Sequence, residues 1–206
     1  MRTFLCWWLF AALPALCATA TISQQSSSVT VLLNYEQPHS PQSFRALQQQ
    51  LQTVLGAVGL KLDVRERQQT APHEQFSDLF VFRMKGYCSM NALPIGALSD
   101  ERGALAMAYS ADGEILPFGE VECDRIRESL QRVLGRGNPE QYQSAFGSAL
   151  GLVMAHEIYH MLAHSALHTR QGLTKESLSA RELLQGQLSL PEIARLAMRG
   201  SVPAQH

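Results

Sequence analysis

Four of the seven histidines fall at four-residue intervals, His156, His160, His164 and His168, and the first two enclose a glutamate in the run His156-Glu157-Ile158-Tyr159-His160. On an α-helix each residue turns by about 100°, so His156 and His160 lie about 40° apart around the axis and about 6 Å apart along it. Two imidazoles so placed can converge on one ion, and zinc held by neutral imidazole nitrogens is the commonest outcome of such a pair. Glu157 points about 60° beyond His160 on the same side. Its carboxylate can therefore approach a water held by the metal without being a ligand, and act as the general base. Ile158 and Tyr159 turn away.

The helix that must carry these residues is unusual. From Gln141 to about Ala163 the chain is helix-compatible, and between Ala145 and Ala163 its only formally charged side chain is Glu157. A helix apolar nearly all round is a buried one. Ionisable groups inside it are costly unless they are paired or bind a metal. A catalytic zinc also needs a third protein ligand and an open position. In a straight helix His164 lies about 12 Å along the axis from His156, too far to share one tetrahedral ion. His168 is better placed if the helix ends near Ala163 to Ser165 and the chain folds back under the metal.

The five residues from His156 to His160 resemble the zinc-binding signature of the zincin metallopeptidases. That resemblance implies zinc as cofactor, His156 and His160 as ligands, Glu157 as the group that activates water, and a peptide or protein substrate. The stretch "HEIYHMLAHSALHTRQGLTK" is also similar to a group of small exported bacterial proteins. The metzincin branch has the pattern H-E-x-x-H-x-x-G-x-x-H, and this sequence departs from it twice. Ala163 stands at the glycine position and Ala166 at the third histidine, with His168 two residues late. Other zincins take a glutamate from a following helix, which makes Glu182 in "LSARELLQG" the second candidate, ahead of His164 and of Glu176. Tyr159 and Tyr109 are assigned no role, and Met198 reads as core.

The remaining elements must position this helix. "VTVLLNY" (Val29 to Tyr35) reads as a β-strand. Ser40 as N-cap and Pro41 at the first helical position open an amphipathic helix that ends near Gly59. "LKLDVRER", "DLFVFRMKG" and "GALAMAYS" read as three further strands, and "CDRIRESLQRVLG" as another helix. "GALAMAYSADGEILPFG" is either an ordinary hairpin or an edge strand on which an extended peptide lies. The expected fold class is α+β: a mixed twisted sheet with packed helices, one of them the buried H-E-x-x-H helix, in the manner of the N-terminal half of a zincin domain.

At 206 residues the chain is in the range of one domain, and a net charge of -1 with no basic run gives no reason to expect nucleic acid or an anionic membrane surface. Arg2, an apolar run from Phe4 to Leu16, and Ala18-Thr19-Ala20 fit a secretory signal peptide over residues 1–20, too short to span a bilayer comfortably. The expectation is a secreted or periplasmic mature domain, residues 21–206, with an uncleaved anchor as the alternative. Outside the cytosol the two remaining cysteines, Cys88 and Cys123, suggest one disulfide. Two functions follow: a zinc metallopeptidase-like hydrolase, or a catalytically silent binding or structural protein stabilised by zinc.

Overall fold

The computed structural model describes residues 28–91, 103–134 and 138–201. The signal segment 1–20 lies outside the described residues. Strand β1 (Ser28–Tyr35) is a continuous β-branched and apolar run, as suits a strand buried on both faces. Val31 and Leu33 are fully buried on one side, and Thr30 and Leu32 are nearly so on the other. It lies between β2 (Lys61–Glu66) and β3 (Asp78–Lys85), parallel to both.

Helix α1 (Pro41–Gly56) links β1 to β2. It is capped by the Ser40 side chain, which accepts from the Ser43 amide, and begins with Pro41 as expected. The five-stranded sheet has the order β2-β1-β3-β5-β4, with β5 (Glu114–Glu122) parallel to β3, and β4 (Ala106–Ala111) antiparallel to β5 on the outer edge. The α+β class with a mixed sheet is therefore correct.

The segment is both a hairpin, turning at Ala111–Glu114, and a sheet edge, because its first arm β4 is the outer strand, and its second arm is a full strand. Pro117 cannot donate to a ladder and reads as a strand breaker. Here it precedes Phe118, where pairing with β3 begins, and sits opposite the irregularity between Ala108 and Ser110 on β4, so neither ladder needs its N–H. Helix α2 (Cys123–Gln131) ends earlier than its sequence pattern suggests. The disulfide between Cys88 and Cys123 is present, with a Cα–Cα distance of 5.0 Å, and ties the chain just after β3 to the first residue of α2.

Helix α3 (Pro139–Ala163) starts two residues before the expected Gln141. Asn138 accepts from the Glu140 amide as N-cap, and Pro139 takes the first turn. It is buried from Ala149 through Met161 without a polar face. Its partner is α1, and the two backbones approach closely at Gly147: a Cβ there would lie 2.1 Å from the Ser43 carbonyl oxygen. Leu47, Leu51 and Leu55 of α1 and Phe146 and Leu150 of α3 join Phe80, Phe82 and Met84 of β3 in one core. Two short helices follow, α4 (Ala180–Gln185) and α5 (Glu192–Ser201), and α5 buries Met198 as core. Among the described residues no helix is long and apolar enough to cross a membrane.

Candidate metal centre

His156 and His160 occupy the last two turns of α3 and are only 8% and 6% exposed. Each imidazole is fixed by its Nδ1. That of His156 donates to the Leu173 carbonyl at 2.8 Å, and that of His160 to the Ser165 carbonyl at 2.6 Å. A carbonyl oxygen can only accept, so both protons sit on Nδ1, and both Nε2 atoms keep a lone pair for a metal. The two Nε2 atoms are 3.0 Å apart. Burial pushes His156 down to about 4, with repulsion from His160 and His168 adding to it and the Leu173 bond opposing it. Burial lowers His160 as well. Burial thus favours the neutral form of both rings, the form that ligates.

His168 joins them from outside the helix. Its exposed ring lies 5.3 Å from that of His156 and 4.8 Å from that of His160, centroid to centroid. One nitrogen from each of the three histidines falls within 4.8 Å of the other two. Zn–N bonds of about 2.0 to 2.1 Å in a tetrahedron put ligand nitrogens about 3.3 Å apart. The donor set fits zinc with a small inward movement of the exposed ring.

The route to His168 explains the departure from the metzincin pattern. Helix α3 ends at Ala163, and His164 takes the left-handed conformation, with φ 46 and ψ 40. The amides of His164 and Ser165 both return to the His160 carbonyl, a C-cap that spends the last helical carbonyl twice. The turn therefore comes one residue later than the glycine of the pattern, and the histidine follows it by four residues. His164 is the capping residue, exposed, and stands outside the converging trio.

After His168 the chain makes a tight turn. The Thr169 amide donates to the Thr174 carbonyl at 2.9 Å, their hydroxyls meet at 2.7 Å, and Gly172 adopts φ 77. One short turn thus delivers both His168 and the Leu173 carbonyl that orients His156.

Glu182, the second candidate for the third ligand, does other work. It grips Lys175 Nζ with both oxygens at 2.6 and 2.7 Å and caps α4 through the Ser179 amide and hydroxyl. Those contacts, Lys175 first and then Ser179, hold its carboxyl down to about 2. Glu176 lines the pocket beside the histidines but is not one of the converging groups.

Glu157 is 7% exposed, and burial pushes it up to about 7 against the lowering effect of one hydrogen bond. That bond comes from the Ala108 amide of β4, which donates to Oε2 at 2.7 Å. Nothing in the sequence announces this contact, because the donor is backbone. Strand β4 is the sheet edge and forms one wall of a cavity of about 320 Å³ that opens at His156, Glu157, His160 and His168. Tyr109 donates to Glu120 on the neighbouring strand at 2.6 Å, and Tyr159 reaches only a long 3.5 Å contact with the Leu167 carbonyl.

No protein-family model matches this sequence, and no curated protein sequence matches it. Among solved structures the chain is similar to the crystal structure of archaemetzincin from Methanopyrus kandleri, with 11% identity and a TM-score of 0.49 over 86% of this chain and 97% of that one.

Proposed function

We propose that the chain is a zinc-dependent, metallopeptidase-like hydrolase of peptide or protein substrates. In this reading it is exported through a signal peptide at residues 1–20, and residues 21–206 form one zincin-like domain acting in the secreted or periplasmic space. The supporting observation is the convergence of His156, His160 and His168 beside a buried carboxylate, at the wall of an open cleft. These three histidines would hold the ion. Zinc there supplies Lewis acidity, polarising a carbonyl and lowering the pKa of water.

The chain's own residues provide the rest. Glu157 is held through Oε2 by Ala108, which leaves Oε1 to take a proton from the attacking water and return it to the leaving amine. Just before β4 the Leu105 carbonyl accepts from the Glu122 amide of β5, so the alternation of an antiparallel ladder turns the backbone groups of Ala106 away from β5, toward the open edge. An extended substrate can pair there by strand addition.

The test is Glu157→Gln. It should keep about one zinc per chain and lose turnover by about 100-fold or more, the range for removing a general base. His168→Ala should lose the zinc. Undiminished turnover in Glu157→Gln refutes the assignment, and a zinc-dependent fold with no turnover in either form identifies a zinc-stabilised binding protein instead.

A further inference from the structure

Among the described residues, one charged side chain at the rim of the pocket has no ion-pair partner. Its walls are largely apolar, with Leu105, Ala106, Ile115, Val153 and Leu178 among them. Besides the three histidines and Glu157, the charged residues of its lining among the described residues are Lys175 and Glu176. Lys175 is neutralised within the wall, because both oxygens of Glu182 hold its Nζ at 2.6 and 2.7 Å. Glu157 is held to the Ala108 amide and faces the reacting centre. Glu176 is exposed, and among the described residues no cation is paired with it. An apolar cleft with an unpaired carboxylate at its rim suits a particular kind of chain: one with an apolar side chain for the walls and a cation placed to pair with that carboxylate.

We propose that Glu176 is a specificity-determining residue that selects peptides carrying a Lys or Arg side chain next to the apolar residue that fills the pocket, and rejects acidic ones. The inference rests on the hydrolase reading above, because it names the substrate class of that same site. A partly exposed ion pair of this kind changes affinity by roughly two- to fivefold. Exchanging a lysine for a glutamate in the peptide replaces attraction by repulsion, so the two should differ by roughly four- to twentyfold. The preference should weaken as salt is raised.

The experiment uses zinc-loaded Glu157→Gln protein, which binds without turning over, and end-blocked peptides with one apolar core flanked by Lys, Gln or Glu. Fluorescence anisotropy should rank them Lys tightest and Glu weakest. Adding Glu176→Gln should collapse the ranking, and adding Glu176→Lys should reverse it. Adding Glu192→Gln, which removes an exposed carboxylate on α5, should leave it unchanged. Equal binding of all three peptides, binding of none, or a ranking that survives Glu176→Gln overturns the proposal. Cleavage by the wild-type zinc protein separates the two ideas. A Glu176-dependent ranking with no peptide ever cleaved sinks the hydrolase reading and leaves the assignment of Glu176 standing. Cleavage of all three at one rate does the reverse.

Discussion

Replacing Gly172 with alanine should weaken zinc binding from a position that is not itself a ligand. Gly172 has φ 77, a region that costs an L-residue roughly 1 to 2 kcal/mol. A Cβ there would lie 2.7 Å from the Ser189 carbonyl oxygen and 3.1 Å from two ring carbons of Pro191, well inside the optimum of about 3.5 Å or more for carbon contacts. The turn must move off Ser189. The bond that loosens first is the one from the Leu173 amide to that same carbonyl, 3.0 Å long.

Leu173 is also the residue whose carbonyl orients His156. Loss of such an outer partner typically costs 10- to 100-fold in metal affinity, or about 1.4 to 2.7 kcal/mol. The zinc dissociation constant of Gly172→Ala should rise by about that factor, measured by competition with a chromophoric chelator. Thermal unfolding in excess chelator should show only the strain, a fall of roughly 2 to 8 °C for a chain of this size. His164→Gly is the control. It relieves a left-handed residue that is not a ligand, so zinc affinity should be unchanged and stability equal or higher by up to about 1 kcal/mol. A Gly172→Ala protein that is folded and binds zinc within twofold of wild type refutes the coupling of the turn to the metal.

Two further outcomes test the frame around the site. Gly147→Ala adds a Cβ 2.1 Å from the Ser43 oxygen and 2.7 Å from the Ala46 Cβ, and it disturbs the buried bonds from Ser43 Oγ to Gln143. Overpacking of about 1 to 3 kcal/mol plus a strained buried hydrogen bond should exceed the gain of about 1 kcal/mol in helix propensity. Urea unfolding should thus show net destabilisation of about 1 to 3 kcal/mol, and a gain in stability would mean the helices are not in contact there. The carboxyl of Glu182 is held below its ordinary value by Lys175 and Ser179, so its contribution is present above the unfolded pKa and is lost as pH falls from about 4.5 toward 2. The urea midpoints of wild type and Glu182→Gln should differ near neutrality and converge as the pH is lowered through that window; a difference that grows on acidification contradicts the sign.

Much of this architecture is legible in the sequence where side chains do local work. Ser40-Pro41 marks the start of α1, and Asn138-Pro139 would have marked the start of α3, had the pattern not been read from Gln141. The all-round apolar character of Ala145 to Ala163 indicates burial, and the spacing of His156 and His160 places two imidazoles together. What was hidden is carried by backbone. The carbonyls of Ser165 and Leu173 and the amide of Ala108 have no residue signature, yet they orient all three groups of the motif. The extent of the hairpin's second arm has no such local mark, and only the pairing partners reveal a full strand in which the missing N–H of Pro117 is harmless. Glu182 looked like a ligand by distance in sequence, but a capping box and a lysine claim both its oxygens.

The two Nδ1 anchors also bear on how the ion would arrive. In a site whose ligands swing freely, each arriving metal must first immobilise them, and uptake and folding become one slow event. Here the rings of His156 and His160 are already immobilised by carbonyls of the folded chain, and their rotamer entropy is lost when the protein folds, not when zinc binds. Only the exposed His168 has an appreciable distance to travel. Such a centre can be emptied and refilled without unfolding its host, and loading becomes a matter of encounter and one side-chain rotation.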